Sequence, residues 1–249
     1  MPIENSQINP PPIWTEQEKW VWGKLSKGEI ADFTTKEAKE GLGIRTDDSQ
    51  KWSETTVLSP AFLQTILLND PYREALPWSG VKIIGAWIKE PLFLEDAVFG
   101  RPWWMNKCRF EKEVVLSGLR TPWSISLKGS IFSAALSLLN AKVGGTLNMG
   151  GSTFTSPLNM NSLKVEEHLF MNGKAQFTEV NLVAAKVGGT LDMGGSTFTG
   201  FLEMNRLEVR GTLNMGGSTF TGPLNMNSLK VGQSLLMREG AQFVEVDLT

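Results

Sequence analysis

Apolar residues along most of this chain occur in pairs separated by a single, mostly polar residue. Leu147 with Met149 and Leu158 with Met160 are two such triplets. This alternation is typical of a very short β-strand that points two side chains inward and one outward. The second inward residue advances by five or six residues from one triplet to the next, whereas an amphipathic helix needs steps of three and four. The pattern therefore predicts many short strands.

The triplets form a repeat of 22 residues. Residues 142–163 return almost unchanged at 208–229, and a third close copy begins at Lys186. The stepping starts at about residue 80 and slips by one residue near Phe177 and near Phe243. Coils stacked about 4.8 Å apart would pair each backbone with the next and bury a continuous column of side chains. The repeat predicts an all-β solenoid of about seven to eight coils.

Some triplets combine a small residue, a middle residue and a large apolar one: Ser152-Thr153-Phe154, Ala97-Val98-Phe99, Cys108-Arg109-Phe110 and Ala141-Lys142-Val143. In these units the chain resembles the bacterial pentapeptide-repeat proteins over roughly residues 80–249. The resemblance implies a right-handed quadrilateral β-helix with about 22 residues per coil. The Leu-Asn-Met triplets depart from it in their large first residue and six-residue step, so a three-sided β-helix remains an alternative. The resemblance concerns architecture and implies no particular function.

The segment before the repeat has a different composition. All nine Trp lie between Trp14 and Trp123, whereas eight of the ten Met lie between Met149 and Met237. Thr15 to Glu18 fit a capping box, and Ser59-Pro60 fits an N-cap followed by Pro, so two short helices are predicted. The first coil of a solenoid needs a cap because it exposes an unpaired strand edge.

These features divide the chain into three parts. We expect an extended tail over residues 1–13, a small Trp-rich α-helical cap over 14–79 and the β-helix over 80–249. The sequence stops on an intact triplet, which suggests that the β-helix is truncated or continues beyond 249. An uncovered last coil would offer an edge for self-association or for a partner.

Four outward positions of the first full coil are apolar: Trp87, Phe93, Val98 and Trp104. Later coils mostly carry Asn, Thr, Lys or Asp at these positions. An apolar collar of this kind would be adhesive if left open. We interpret it as the contact with the helical cap, and the alternative is a surface for a partner.

The composition excludes several classes of chemistry. The charge is nearly balanced, with 24 Lys and Arg against 26 Asp and Glu, so there is no bulk attraction for nucleic acid or for a membrane. Cys108 and His168 are the only thiol and the only imidazole, and they fall in different coils, which argues against a catalytic dyad. No catalytic, metal or cofactor site is predicted. One cysteine, no leader pattern and no long apolar stretch indicate a cytoplasmic protein without a membrane segment.

One outward column of the repeat is basic. It contains Arg120, Lys142, Lys164, Lys186 and Lys230, with Glu208 between the last two. Cations about 4.8 Å apart repel one another, which indicates an anionic partner unless copying of one repeat merely multiplied its lysine. In another column Phe170 and Leu236 are apolar among polar neighbours, a weak indication of a contact surface.

These observations lead to several hypotheses about function. The first is a non-enzymatic scaffold that binds a protein partner through β-helix faces or the open C-terminal edge. The second is nucleic-acid or polyanion binding along the Lys and Arg column. Glycan-active and ice-binding β-helices come third. Glu203 and Asp247 lie two coils apart, farther than a catalytic carboxylate pair requires, and the threonine rows are interrupted by Gln176, Gln242 and Val244.

Overall fold

The computed structural model describes residues 8–42 and 52–248. The predicted tail falls partly on residues 1–7, which lie outside the described residues, as do residues 43–51 and Thr249. The fold is an all-β parallel solenoid of about eight turns, with about 22 residues per turn and a few short helices at the N-terminal end. The predicted fold class is confirmed at this level.

Each turn contributes short strands to four ladders. The first ladder contains Ala31–Asp32 (β1), Val81–Ile84 (β2), Trp103–Asn106 (β5), Ile125–Ser126 (β9), Leu147–Asn148 (β13), Leu169–Phe170 (β17), Leu191–Asp192 (β21), Leu213–Asn214 (β25) and Leu235–Leu236 (β28). The second contains Trp87–Ile88 (β3), Arg109–Phe110 (β6), Ile131–Phe132 (β10), Thr153–Phe154 (β14), Gln176–Phe177 (β18) and Thr197–Phe198 (β22).

The third ladder contains Leu92–Phe93 (β4), Val114–Val115 (β7), Leu136–Ser137 (β11), Leu158–Asn159 (β15), Val180–Asn181 (β19) and Leu202–Glu203 (β23). Two longer strands, Thr219–Asn225 (β26) and Gln242–Asp247 (β29), join the second and third ladders around their shared corner. The fourth contains Arg120–Thr121 (β8), Lys142–Val143 (β12), Lys164–Val165 (β16), Lys186–Val187 (β20), Glu208–Val209 (β24) and Lys230–Val231 (β27).

The inward residues of the triplets form the core. Phe110, Phe132 and Phe154 stack with ring centroids 4.6 Å apart and nearly parallel planes, and the stack continues to Phe243. The slips predicted at Phe177 and Phe243 are present, because Gln176 pairs with Thr153 and with Thr197, 23 and 21 residues away. The coil has one extra residue before the phenylalanine and one fewer after it. The phenylalanine rings therefore remain stacked.

The N-terminal segment is tied together by polar contacts at helix ends. Its helices are Glu16–Leu25 (α1), Lys36–Gly41 (α2), Pro60–Leu68 (α3) and Tyr72–Ala75 (α4), with a 3-10 helix at Glu54–Thr56. The predicted capping box at Thr15 and the N-cap at Ser59 are both present. The Ser59 hydroxyl donates to Glu18 Oε1 at 2.6 Å, which joins α3 to α1.

The segment also covers part of the first coil, through backbone pairing that the sequence did not predict. β1 pairs in parallel with β2, and Val57 bridges to Trp87. At the other end, the inward side chains of the last described coil, such as Leu235 and Met237, are exposed, whereas their equivalents in earlier coils are buried.

Candidate interaction face

The fourth ladder presents a row of cations on the outside of the solenoid. Arg120 pairs with Lys142, Lys142 with Lys164, and Lys164 with Lys186, each as the exposed residue of a two-residue strand. The inward neighbour of each cation is buried, as Val143 and Val165 are, which fixes the backbone beneath the row. We call the outer surface of β8, β12, β16, β20, β24 and β27 the basic face.

Carboxylates neutralise only the later part of the basic face. Lys164 Nζ lies 2.7 Å from Glu166 Oε1, and Glu208 accepts from Lys186 at 3.0 Å and approaches Lys230 at 3.7 Å. These hydrogen bonds from Lys164 and Lys186 lower the pKa values of Glu166 and Glu208. The two carboxylates therefore remain charged at neutral pH and compensate the lysines beside them.

The first two cations of the row are not compensated in this way. In the described part of the chain, no carboxylate oxygen lies within 4.0 Å of the Arg120 guanidinium or the Lys142 ammonium. Both side chains are exposed. The cations without an ion pair therefore lie at the end of the basic face nearest the helical segment, where Glu95 and Asp96 line the same depression.

An exposed aromatic cluster lies at the corner that follows β8, and we call Trp78, Arg101 and Trp123 the tryptophan corner. The two indoles meet edge to face with ring centroids 6.2 Å apart, and Arg101 Cζ lies 4.0 Å above the Trp78 ring. Trp123 Nε1 donates to Gly100 O at 3.0 Å, which anchors one indole. Even so, Trp78 is 72% exposed and Trp123 37% exposed.

The repeat pattern does not predict the tryptophan corner. Trp78 lies in the non-repeating segment, where periodicity gives no position, and it meets Trp123 only through the fold. A signal was nevertheless present, because Trp123 occupies a corner where the next coil carries Gly145 and a later one Gly189.

The predicted cap contacts are only partly made. Trp87 O accepts from Leu58 N at 3.0 Å, and Phe93 O accepts from Gln64 Nε2 at 2.9 Å. The Phe93 and Val98 side chains are 44% and 58% exposed, so much of their surface stays open. The segment pairs with the edges of the first two ladders, and its role as a cover for these outward side chains stays a prediction.

The other outward aromatic and apolar candidates are half-buried. Trp104 is covered by Lys82 of its own ladder, with Nζ 4.4 Å from the ring. Phe170 stacks on His168 at 5.6 Å, and Leu236 continues the same ladder after Asn214. Phe170 and Leu236 do not join the basic face, because they belong to the first ladder.

The thiol and the imidazole lie on opposite sides of the solenoid wall. Cys108 is fully buried, whereas His168 is exposed and its Nδ1 accepts from Thr190 N at 3.0 Å. Burial raises the pKa of Cys108 to about 12. No group of three or more His, Cys, Asp or Glu side chains that could hold a metal ion occurs among residues 8–42 and 52–248.

We expect Cys108 to be inert in the folded protein. A thiol reagent at pH 8 should leave it unmodified and should modify it fully in denaturant, because only the thiolate reacts. Its raised pKa means that the unfolded thiol ionises first. The contribution of Cys108 to stability should therefore be lost as the pH rises from about 9 towards about 12. Rapid modification under native conditions would contradict the buried position.

Fold and surface together define a parallel β-solenoid with a basic face and an aromatic corner. No protein-family model, curated protein or solved structure matches this chain. The longest helix in the described residues has ten residues, and none is long and apolar enough to cross a membrane.

Proposed function

We propose that this solenoid is a non-enzymatic interaction scaffold that binds a protein partner through its basic face. The observation that carries the proposal is the row of exposed cations held in register by a continuous ladder. The backbone beneath the row is already ordered by the ladder, so binding has to immobilise only the side chains. Arg120 and Lys142 supply the uncompensated charge.

The exposed tryptophans favour a protein partner. Trp and Arg are the residues most enriched at the energetic centres of protein interfaces, and the tryptophan corner combines both beside the basic face. Glu208 interrupts the positive row and Glu166 lies beside it, which suits a partner with separate charges better than a continuous polyanion. Nucleic-acid or polyanion binding is the second candidate, favoured by the four consecutive cations from Arg120 to Lys186.

Two finer features belong to the same proposal. The 22-residue coil with four ladders supports a divergent solenoid of the bacterial pentapeptide-repeat type, with the right-handed winding of that family. The single buried thiol, Cys108, fits a reducing compartment such as the cytoplasm.

A charge-matched comparison tests the proposed function. The face variant replaces Lys142, Lys164 and Lys186 with Gln, and the control replaces Lys112, Lys128 and Lys174, which are exposed elsewhere on the solenoid. Each changes the net charge by the same amount. In quantitative affinity capture from the source organism, we expect one partner protein to be retained by the wild type and the control. The face variant should lose it by about tenfold or more.

Two results would oppose this proposal. Equal retention of every captured protein by all three forms would remove the basic face as a protein-binding site. Tight retention of the wild type on heparin or duplex DNA, steeply dependent on salt and lost in the face variant, would favour the polyanion function instead.

A further inference from the structure

The corner that follows β12 is kept bare by close backbone stacking. A Cβ atom at Gly144 would lie 2.7 Å from the Pro122 carbonyl oxygen, and one at Gly145 would lie 2.8 Å from Ser124 N. These distances are shorter than side-chain carbons tolerate, so the coil after Trp123 can carry no side chain at this corner. Trp123 therefore stands beside a flat glycine surface that starts two residues after Lys142.

The same region joins apolar surface to free positive charge. Val98 is bridged to Arg120, so this exposed valine directly precedes the first cation of the basic face. Trp123 follows Arg120 by three residues and meets Trp78 across the corner. Arg120 is thus flanked by Val98 on its own ladder and by Trp123 at the following corner, and Lys142 is the next cation along the ladder.

We propose that this region docks an acidic peptide segment that carries one apolar anchor residue. The anchor packs against Trp78 and Trp123, and its flanking carboxylates pair with Arg120 and Lys142. This inference rests on the proposed function and names the chemistry of the partner. Charge complementarity favours acidic flanks, because Arg120 and Lys142 have no carboxylate within 4.0 Å in the described residues. The exposed indoles favour an apolar anchor residue.

Neighbouring acidic residues favour a peptide over a nucleic acid. Glu95 and Asp96 are exposed on the corner just before Val98, and Glu166 lies beyond Lys142 on the other side. A continuous phosphate backbone running along the face would meet these carboxylates at both ends of the free cations. A short acidic segment can place its charges between them.

Fluorescence anisotropy with defined probes tests the docking site. The first probe is a labelled eight-residue peptide of Glu and Asp with one central Leu, and the second has Ser in place of that Leu. The third is a labelled single-stranded oligonucleotide of eight thymidines. We expect the anchored peptide to bind the full chain about tenfold more tightly than the other two. Raising the salt from low to physiological concentration should weaken the binding of the anchored peptide.

Variants assign the binding to named side chains. Trp78→Ala, Trp123→Ala and the double change Arg120→Gln with Lys142→Gln should each weaken the anchored peptide by about tenfold. Trp104→Ala removes an outward tryptophan on another ladder, and Lys112→Gln with Lys128→Gln removes two exposed cations elsewhere. Both controls should stay within about twofold of the wild type. Circular dichroism checks that each variant is folded. Trp78→Ala should leave the fold intact, because Trp78 is the more exposed of the two indoles.

The results separate this inference from the proposed function. Equal binding of the two peptides, tighter binding of the oligonucleotide, or equal losses in the controls would each overturn the docking site. If the partner capture above depends on the basic face but no peptide binds, the proposed function stands and this inference fails. If capture does not depend on the face, the proposed function itself fails.

Discussion

Met193→Asp is expected to unfold the coils around it. Met193 is fully buried in the inward column that follows Leu191 on the first ladder. A carboxylate there loses its hydration and gains no partner, which costs several kcal/mol even after protonation relieves part of the penalty. We expect a loss of about 4 kcal/mol in the free energy of unfolding at pH 7, measured by urea unfolding.

The position and pH dependence of this effect distinguish burial from a general effect of charge. Gln176→Asp places the same carboxyl at an exposed outward position, and its cost in the free energy of unfolding should stay below about 0.5 kcal/mol.

The destabilisation by Met193→Asp should shrink at pH 4, where the buried carboxyl is protonated more easily. Amide hydrogen exchange should show lost protection mainly in adjacent coils, because solenoid repeats contact only their neighbours. An unchanged midpoint would contradict the inward register.

Phe154→Ala is also expected to destabilise the solenoid strongly. Phe154 is buried between Phe132 at 4.6 Å and Phe177 at 5.2 Å. Removing the ring leaves a cavity inside a continuous stack, since the backbone ladders on each side prevent collapse. The expected cost is about 3–5 kcal/mol, measured by the same urea unfolding.

The matched control is Phe201→Ala. Phe201 is exposed and precedes β23 at a corner. Losing it should cost less than about 1 kcal/mol, because little apolar area returns to water. Equal costs for the two variants would contradict the stacked column as the main source of stability.

The proposed function depends on which charges of the basic face are free. Glu208→Gln should increase the affinity for an acidic ligand, since it releases Lys186 and Lys230 from their shared carboxylate. This expected gain in affinity is opposite to the loss expected when the lysines are replaced with Gln. The two together would therefore show that binding follows the net charge of the face.

The repeat allowed the sequence alone to predict most of the solenoid. A fixed period determines which residues stack, so the pairing of Lys142 with Lys164 and the column from Phe110 to Phe243 could be derived without coordinates. The one-residue slips were also visible, because each interrupts an otherwise regular spacing. The period fits both three-sided and four-sided coils, and the structure shows four ladders.

The candidate site was only half predictable. The basic column follows from the period, but its neutralisation by Glu166 and Glu208 depends on side-chain directions within and between columns. The partial exposure of Phe93 and Val98 could not be derived from the sequence, because apolar character alone does not show what covers a side chain.

The sequence by itself determined the period, the inward core and the row of cations, since each is a property of residues that repeat at a fixed spacing. Only the tertiary structure decided where the non-repeating segment packs, and hence that β1 extends the first ladder and that Trp78 meets Trp123. A repeat specifies its own neighbours through backbone pairing. A segment without a repeat is positioned by the packing and polar contacts of particular side chains, such as Ser59 with Glu18, which no spacing reveals.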